Sequence, residues 1–326
     1  MAKAKIKIAI IGGGTGLSVL SRGLKKYPVE ISAIVSVADD GGSTGIIRDQ
    51  IDMPAPGDIR NVMSALSEVE PMLEGLFTYR FKKDEISGHS LGNLMLAAMY
   101  DLSGDFATAV SELSKILNVK GTVIPSTNVS PKLAARMVDD SLIIGESYIP
   151  KINKEIQEIY LIPTNIDATP AAVEAIMEAD IVVLGPGSLY TSIIPNLLPN
   201  GIKEALTDST GIKVYVANLL EQPGETMGMS AYDHLYAIEK HIKRKVIDYV
   251  ILNERDVYSQ MASTYKERGV HIIESERNKI EANGVKVITH DELIIVDDEG
   301  VVRHNNEKLA EIIYDIVIDE SRTLEY

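Results

Sequence analysis

The 326-residue sequence has no cysteine, no tryptophan and only three phenylalanines. Without cysteine there can be no disulfide and no thiolate metal site, a composition that suits a reducing cytosol. Basic charge is also short: 32 Lys and Arg face 47 Asp and Glu, for a formal net charge of −15. That balance opposes non-specific binding to nucleic acid or to an anionic membrane, although a local basic pocket could still hold a phosphate. No apolar run approaches the roughly 20 residues of a membrane helix, and the first one stops at Ile11, too short for a signal h-region. The expectation is a cytoplasmic protein with no membrane insertion and no nucleic-acid partner. Apolar residues still make up 45% of the chain, enough for one large α/β domain or two modest ones.

What is present is organised around glycine loops. Residues 5–11 read as a short buried strand, Gly12 to Gly16 as a turn, and Leu17, Leu20 and Leu24 as one face of a helix. Strand, glycine turn and helix together aim backbone N–H groups and a helix N-terminus at a phosphate. The dinucleotide fingerprint fails, because its third glycine would fall at Leu17 or Val19. A tight turn with no ligand is the alternative. Residues 29–37 read as a second strand, left by Ala38-Asp39-Asp40-Gly41-Gly42-Ser43-Thr44-Gly45. Two carboxylates and two hydroxyls on a glycine-rich loop suit a sugar, a ribose or a metal, and together the loops read as a nucleotide or nucleotide-sugar site.

In Pro56-Gly57-Asp58-Ile59-Arg60-Asn61, Asp58 reads as the N-cap of a helix whose stripe is Val62, Leu66 and Val69. A cation in the first turn opposes the helix dipole, so Arg60 is more natural facing a phosphate or carboxylate, with a surface ion pair as the alternative. Residues 71–81 and 105–118 read as helices. Between them, Ser87-Gly88-His89-Ser90-Leu91-Gly92-Asn93 leads into LMLAAMYDL, apolar on all sides and therefore expected in the core. His89 then stands in a cleft or serves as a satisfied structural group. About 119–150 reads as a β-rich insertion. The alternating layout resumes with a strand at 156–161, a helix started by Thr169 and Pro170, and a strand at 180–184. That strand exits into a second glycine loop, Gly185 to Asn196, at the end of the sheet where ligands of open α/β folds collect. Strands are also expected at 212–217, 248–252, 270–274, 285–289, 292–296 and 301–303. Helices are expected at 230–244, 257–267 and from Asn305 to about Ile318. His234 and His241 read as surface residues, and 319–326 as a loose tail.

The motifs IGGGTGL, VADDGGSTG, PGDIRN, SGHSLGN, LGPGSLYTSIIPNLL, NLLEQPGET and VVRHN, in that order, resemble the YvcK/CofD-like family from about Ile8 to Ile318. The closer branch is the YvcK type, the gluconeogenesis factors. This resemblance implies a Rossmann-like α/β fold: a mostly parallel sheet with helices on both faces, one CofD-like unit over 1–318. It also implies cytoplasmic proteins that bind UDP-sugars such as UDP-N-acetylglucosamine and are needed for cell shape on gluconeogenic carbon sources. A protein partner in envelope synthesis and a homo-oligomer are expected with it. Members of the other branch use magnesium to transfer a phospholactyl group from a guanosine diphosphate carrier to a deazaflavin. A metal-dependent transferase is therefore the alternative function.

Carried over by motif, Gly13, Gly14, Thr15 and Gly16 would cradle phosphate, and Asp39 and Asp40 would hold Mg²⁺ or polarise a hydroxyl. Ser43, Asp58, Asn61, His89, Asn93, Gly187, Ser188, Thr191, Ser192 and Asn196 would line the same crevice. Tyr265 would stack on uracil while Arg303 takes a diphosphate; the alternative for Tyr265 is a half-buried helix residue.

Overall fold

The computed structural model describes residues 5–82 and 88–323, with side chains only as far as 320. The expectations for residues 1–4, for Ser87 and for 324–326 lie outside the described residues. The chain opens with β1 (Ile6–Gly12), α1 (Gly14–Leu24) and β2 (Val29–Val35). Helices α2 (Gly42–Ile51), α3 (Gly57–Leu66), α4 (Pro71–Thr78), α5 (Leu91–Ser103) and α6 (Phe106–Ile116) lead to β3 (Thr122–Pro125). Strands β4 (Lys132–Met137), β5 (Leu142–Ile144) and β6 (Ile156–Ile162) follow. Next come α7 (Pro170–Glu178), β7 (Ile181–Leu184), α8 (Ile194–Leu197), α9 (Ile202–Asp208), β8 (Ile212–Val216), α10 (Ala231–Ile242) and β9 (Tyr249–Leu252). The chain ends with α11 (Ser263–Glu267), α12 (Arg277–Ala282), β10 (Lys286–Thr289), β11 (Ile294–Val296), β12 (Val302–His304) and α13 (Asn306–Thr323).

The main sheet is parallel throughout, in the order β10-β9-β8-β7-β1-β2-β3. Side chains alternate across a strand, so β1 feeds two cores. Ile8 and Ile10 pack with Leu17, Leu20 and Leu24 of α1 and with Leu309 and Ile313 of α13. Ala9 and Ile11 pack with Ile176 of α7, Leu206 of α9 and Ile238 of α10. Each fully buried leucine or isoleucine contributes about 1.5–3 kcal/mol. Burial on both faces is why the strands read as continuous apolar runs. From β1 the chain winds one way through β2 and β3, then returns to β7 and winds the other way. The reversal lies between β1 and β7, the position at which open α/β sheets form a ligand crevice.

Several expectations are corrected. The β-rich insertion begins later than 119, because β3 is an edge strand of the main sheet, and it extends past 150 to include β6. It is an antiparallel sheet ordered β5-β4-β6. Residues 257–267 form a 3-10 turn and the short α11 instead of one helix, and 270–274 is no strand, making only an isolated bridge between Leu220 and Ile272. Helix α5 is only half submerged: Leu96 is fully buried, whereas Leu102 is 82% exposed.

The final helix does not fray at 318. It runs to Thr323, with Glu320 accepting hydrogen bonds from the Tyr249 hydroxyl and Lys286 Nζ. His234 and His241 are buried, not superficial. Tyr215 Oη lies 3.0 Å from His234 Nδ1, and His241 Nε2 accepts the Ile159 N–H at 3.1 Å. Their seven-residue spacing marked a face of α10, and that face turns inward. No helix among the described residues is long and apolar enough to cross a membrane.

Candidate functional site

The two glycine loops leave β1 and β7 side by side and interlock. A β-carbon on Gly16 would stand 2.4 Å from the Pro186 carbonyl oxygen, so only glycine lets the loops meet. Gly14 (φ 65°) and Gly185 (φ 84°) take left-handed conformations that glycine adopts without strain. Asn196, fully buried, holds both loops: its Nδ2 donates to Gly12 O at 2.8 Å and to Ser192 O at 2.7 Å. Residues Leu189–Ile193 form a π-helical turn, a distortion common at functional sites.

Beyond this junction lies a cleft of about 420 Å³ lined by Gly13, Gly14, Thr15, Gly16, Gly187, Ser188 and Ser192. Tyr265, Arg303 and His304 close its far side, although they come from the last third of the chain. Tyr265 is half-buried against Leu219 and Ile294. Arg303 is more than half exposed, and its nearest carboxylate, Asp297, is 3.8 Å away, so the guanidinium is free to engage an anion. His304 Nε2 donates to Ala217 O at 3.2 Å, and burial pushes its imidazole down to about 4, leaving it neutral. Gln222 fastens the rim, donating to Ser188 Oγ at 2.7 Å and accepting from Asn218 Nδ2 at 3.0 Å.

Carboxyls crowd the side of the loops facing the small sheet. Asp58 is not the N-cap of α3; it sits one residue inside the helix, which begins at Gly57 after Pro56. Its carboxyl instead faces the Gly14 N–H, and a β-carbon on Gly13 would lie 2.5 Å from its Oδ2. Burial, then the charge of Asp39, raises Asp58 to about 6. Burial, then Asp39 and Asp40, raises Glu146 to about 8. Burial lifts Glu225 to about 7, opposed by hydrogen bonds from the Thr191 hydroxyl (3.3 Å) and from the N–H groups of Tyr190 and Thr191. Asp39 is also raised, chiefly by burial.

Asp39 and Asp40 each hold a backbone N–H. Asp39 Oδ1 accepts the Gly41 N–H at 2.8 Å, while Asp40 Oδ1 accepts the Ser147 N–H at 2.8 Å. Among the described residues no group of three or more His, Asp or Glu side chains is disposed to hold a metal. Arg48, buried, fastens this acidic loop to the approach to β4, donating to Ser130 Oγ (2.9 Å), to Pro131 O and to Ala38 O (3.2 Å).

A cluster of polar side chains stands at the N-terminus of α5. His89 Nδ1 is 2.9 Å from Ser43 Oγ, and Asn93 Nδ2 is 3.5 Å from the same hydroxyl. Ser90 caps the helix, accepting the Asn93 N–H at 3.2 Å. Arg60 Nη2 donates to Asn61 Oδ1 at 2.6 Å.

The residues named from sequence thus fall into three groups. Gly13–Gly16, Gly187, Ser188, Ser192, Tyr265 and Arg303 share the cleft. Asp39, Asp40, Ser43, Asp58, Asn61, His89 and Asn93 stand on the α2, α3 and α5 side. Thr191 and Asn196 turn inward, onto Glu225 and onto backbone carbonyls. Glu146, Gln222 and Glu225 escaped sequence reasoning. The loop holding Gln222 and Glu225 was rich in glycine and polar groups, a usable signal, whereas Glu146 leaves a short hairpin strand with nothing to distinguish it.

Comparison with known proteins gives a consistent result. Residues 8–293 match the family described as 2-phospho-L-lactate transferase CofD. A Bacillus subtilis protein named gluconeogenesis factor is 46% identical over 314 residues, covering 96% of this chain and 98% of its own. An Aquifex aeolicus protein named putative gluconeogenesis factor is 41% identical over 97% of this chain and 98% of its own. A crystal structure of a Bacillus halodurans protein superposes with a TM-score of 0.92 at 47% identity, covering 95% of this chain and 100% of that one.

Proposed function

The chain belongs to the CofD family, and from that premise we propose that it is a nucleotide-sugar-binding regulator of the gluconeogenesis-factor kind. In this reading a UDP-sugar such as UDP-N-acetylglucosamine lays its diphosphate on the amides of Gly13 to Gly16, at the positive end of α1. Arg303 pairs with the same diphosphate and Tyr265 stacks on the uracil. The bound form would report precursor status to a partner in envelope synthesis, and so to cell shape on gluconeogenic carbon sources. The protein would act in the cytoplasm as a homo-oligomer.

The observation that carries this reading is the meeting of both glycine loops with Tyr265 and Arg303 around one cleft at the sheet's switch point. Its volume of about 420 Å³ falls within the roughly 300–1,000 Å³ of small-molecule sites. Transfer chemistry through a metal is supported less, because Asp39 and Asp40 are tied to separate backbone N–H groups.

The test is calorimetric titration with UDP-N-acetylglucosamine, UDP-glucose, GDP and NAD, with and without magnesium, assaying each mixture for breakdown. Saturable UDP-sugar binding without turnover is expected. Magnesium-dependent binding of GDP in preference to UDP-sugars would overturn the regulator and favour a transferase.

A further inference from the structure

Arg60 is 7% exposed, yet its Nε and Nη1 have no hydrogen-bond partner. A buried guanidinium left short of partners is costly, because it has lost water without gaining an acceptor. Its side chain crosses the first turn of α5, where a β-carbon on Gly92 would come within 2.9 Å of Arg60 Cδ. Asn93, 1% exposed on the same turn, leaves its Oδ1 without a donor. Burial depresses Arg60 most and the charge of Arg80 adds to it, while Asp58 and Asp39 oppose; Arg80 itself is exposed and donates to Gly88 O at 3.0 Å. A buried guanidinium with two unpartnered nitrogens, packed on the first turn of a 13-residue helix whose N-terminus also holds the hydroxyl of Ser43 and the ring of His89, lacks one component: an anion.

We propose that Arg60, Ser43, His89 and Asn93, gathered at the N-terminus of α5, form a second anion subsite, which takes a phosphate group and is separate from the cleft of Arg303. Phosphate fits the donor set better than a carboxylate does. Its oxygens can accept from Arg60, from Ser43 and from the helix terminus at once, and its remaining O–H can donate to Asn93 Oδ1. The crevice is then bipartite, with a nucleotide diphosphate on the glycine loops and a phosphorylated small molecule, or phosphate itself, on the far side of Asp58. The subsite stands on Arg60 and Asn93, not on the nucleotide-sugar reading, and can be tested without a nucleotide.

The experiment is titration with inorganic phosphate and with glycerol phosphate, followed by calorimetry and ³¹P line broadening, on the parent protein and on Arg60→Gln, Ser43→Ala and Arg303→Ala. Saturable binding is expected. Arg60→Gln should weaken it at least tenfold and Ser43→Ala several-fold, whereas Arg303→Ala should leave it unchanged. Tighter binding of the ester identifies a phosphorylated metabolite as the occupant; equal or tighter binding of inorganic phosphate identifies the free ion. Thermal unfolding checks each variant, and if Arg60→Gln does not fold, Ser43→Ala and His89→Gln decide. Affinity that falls with Arg303→Ala but not with the subsite variants would place phosphate in the diphosphate cleft and overturn the proposal. So would the absence of saturation at about 10 mM, or citrate binding as tightly as phosphate.

Discussion

Gly16 and Pro186 hold the two glycine loops in register: a β-carbon on the glycine would meet the proline carbonyl oxygen at 2.4 Å. Gly16 lies inside α1, where alanine is ordinarily better by about 1 kcal/mol. The obstacle is a backbone atom that cannot swing aside, and overpacking of this kind costs about 1–3 kcal/mol. Gly16→Ala is therefore expected to lower stability by up to roughly 2 kcal/mol net and to weaken the proposed nucleotide binding by spreading the loops. A urea midpoint at or above that of the parent protein would show that the loops are not locked there.

Glu146 should make the protein less stable as pH rises. Below about 4.5 its carboxyl is protonated in the folded and unfolded chains alike. Between 4.5 and about 8 the unfolded chain ionises while the folded one keeps its proton, held by burial and by the charges of Asp39 and Asp40. Stability is lost across that window, and the whole loss stands above it. Glu146→Gln removes the ionisation and, after discounting for partial exposure, is expected to stabilise by about 2–3 kcal/mol at pH 8.5. At pH 4.5 it should change little. Chemical denaturation at the two pH values measures the difference, and equal effects at both would remove Glu146 from the carboxyl cluster.

Much of the fold was legible because the parallel strands are buried on both faces, which leaves short β-branched runs bounded by glycine turns. The two glycine loops, the Thr169 cap and the Asn305 cap were readable from local chemistry, and the caps receive the Ala172, Glu307 and Lys308 N–H groups. The misreadings share a cause: tertiary contacts decided what local pattern could not. Asp58 satisfies the cap rule in sequence, but the chain enters α3 two residues earlier and frees the carboxyl for Gly14. His234 and His241 have no acidic partner at metal spacing and so read as surface, yet α10 is covered by the small sheet and by β8. Glu146 reaches the site only because the hairpin end is tied to Asp40 through Ser147, a contact spanning 107 residues.

Buried histidines should oppose the raised carboxyls on the acid side, each costing stability as pH falls. His234 is pushed down to about 4 by burial, with Asp233 opposing weakly, whereas an unfolded histidine titrates near 6.5. Above 6.5 both states are neutral. As pH falls from 6.5 towards 4 the unfolded chain takes up a proton that the folded chain refuses, so stability drops, by about 3 kcal/mol in full. His304 carries a similar shift and adds a second loss of the same sign. Accordingly, the stability of His234→Gln relative to the parent protein should rise as pH falls from 6.5 to 4.5, a difference that holds whatever slope the raised carboxyls and the other buried histidines add in the same window. An unchanged difference, measured by denaturation in stepped buffers, would mean that His234 takes up its proton in the fold as it does in the unfolded chain.

Arg303 and Tyr265 give the sharpest test of the proposed nucleotide-sugar cleft, because they are remote in sequence from the glycine loops. A charge-assisted contact to a diphosphate is worth about 1.5–3 kcal/mol, so Arg303→Ala should weaken UDP-N-acetylglucosamine binding roughly 10- to 150-fold. Tyr265→Ala removes a stacking face worth about 1–3 kcal/mol and should also weaken binding, with some loss of packing against Leu219. Asp297 is the control. It lies 3.8 Å from Arg303 Nε and competes with any anion for the guanidinium, so Asp297→Asn should leave affinity equal or tighter. Calorimetry on the three variants separates the cases. Unchanged affinity in Arg303→Ala, or weakened affinity in Asp297→Asn, would remove the arginine from the diphosphate site and leave the glycine-loop amides to bind alone.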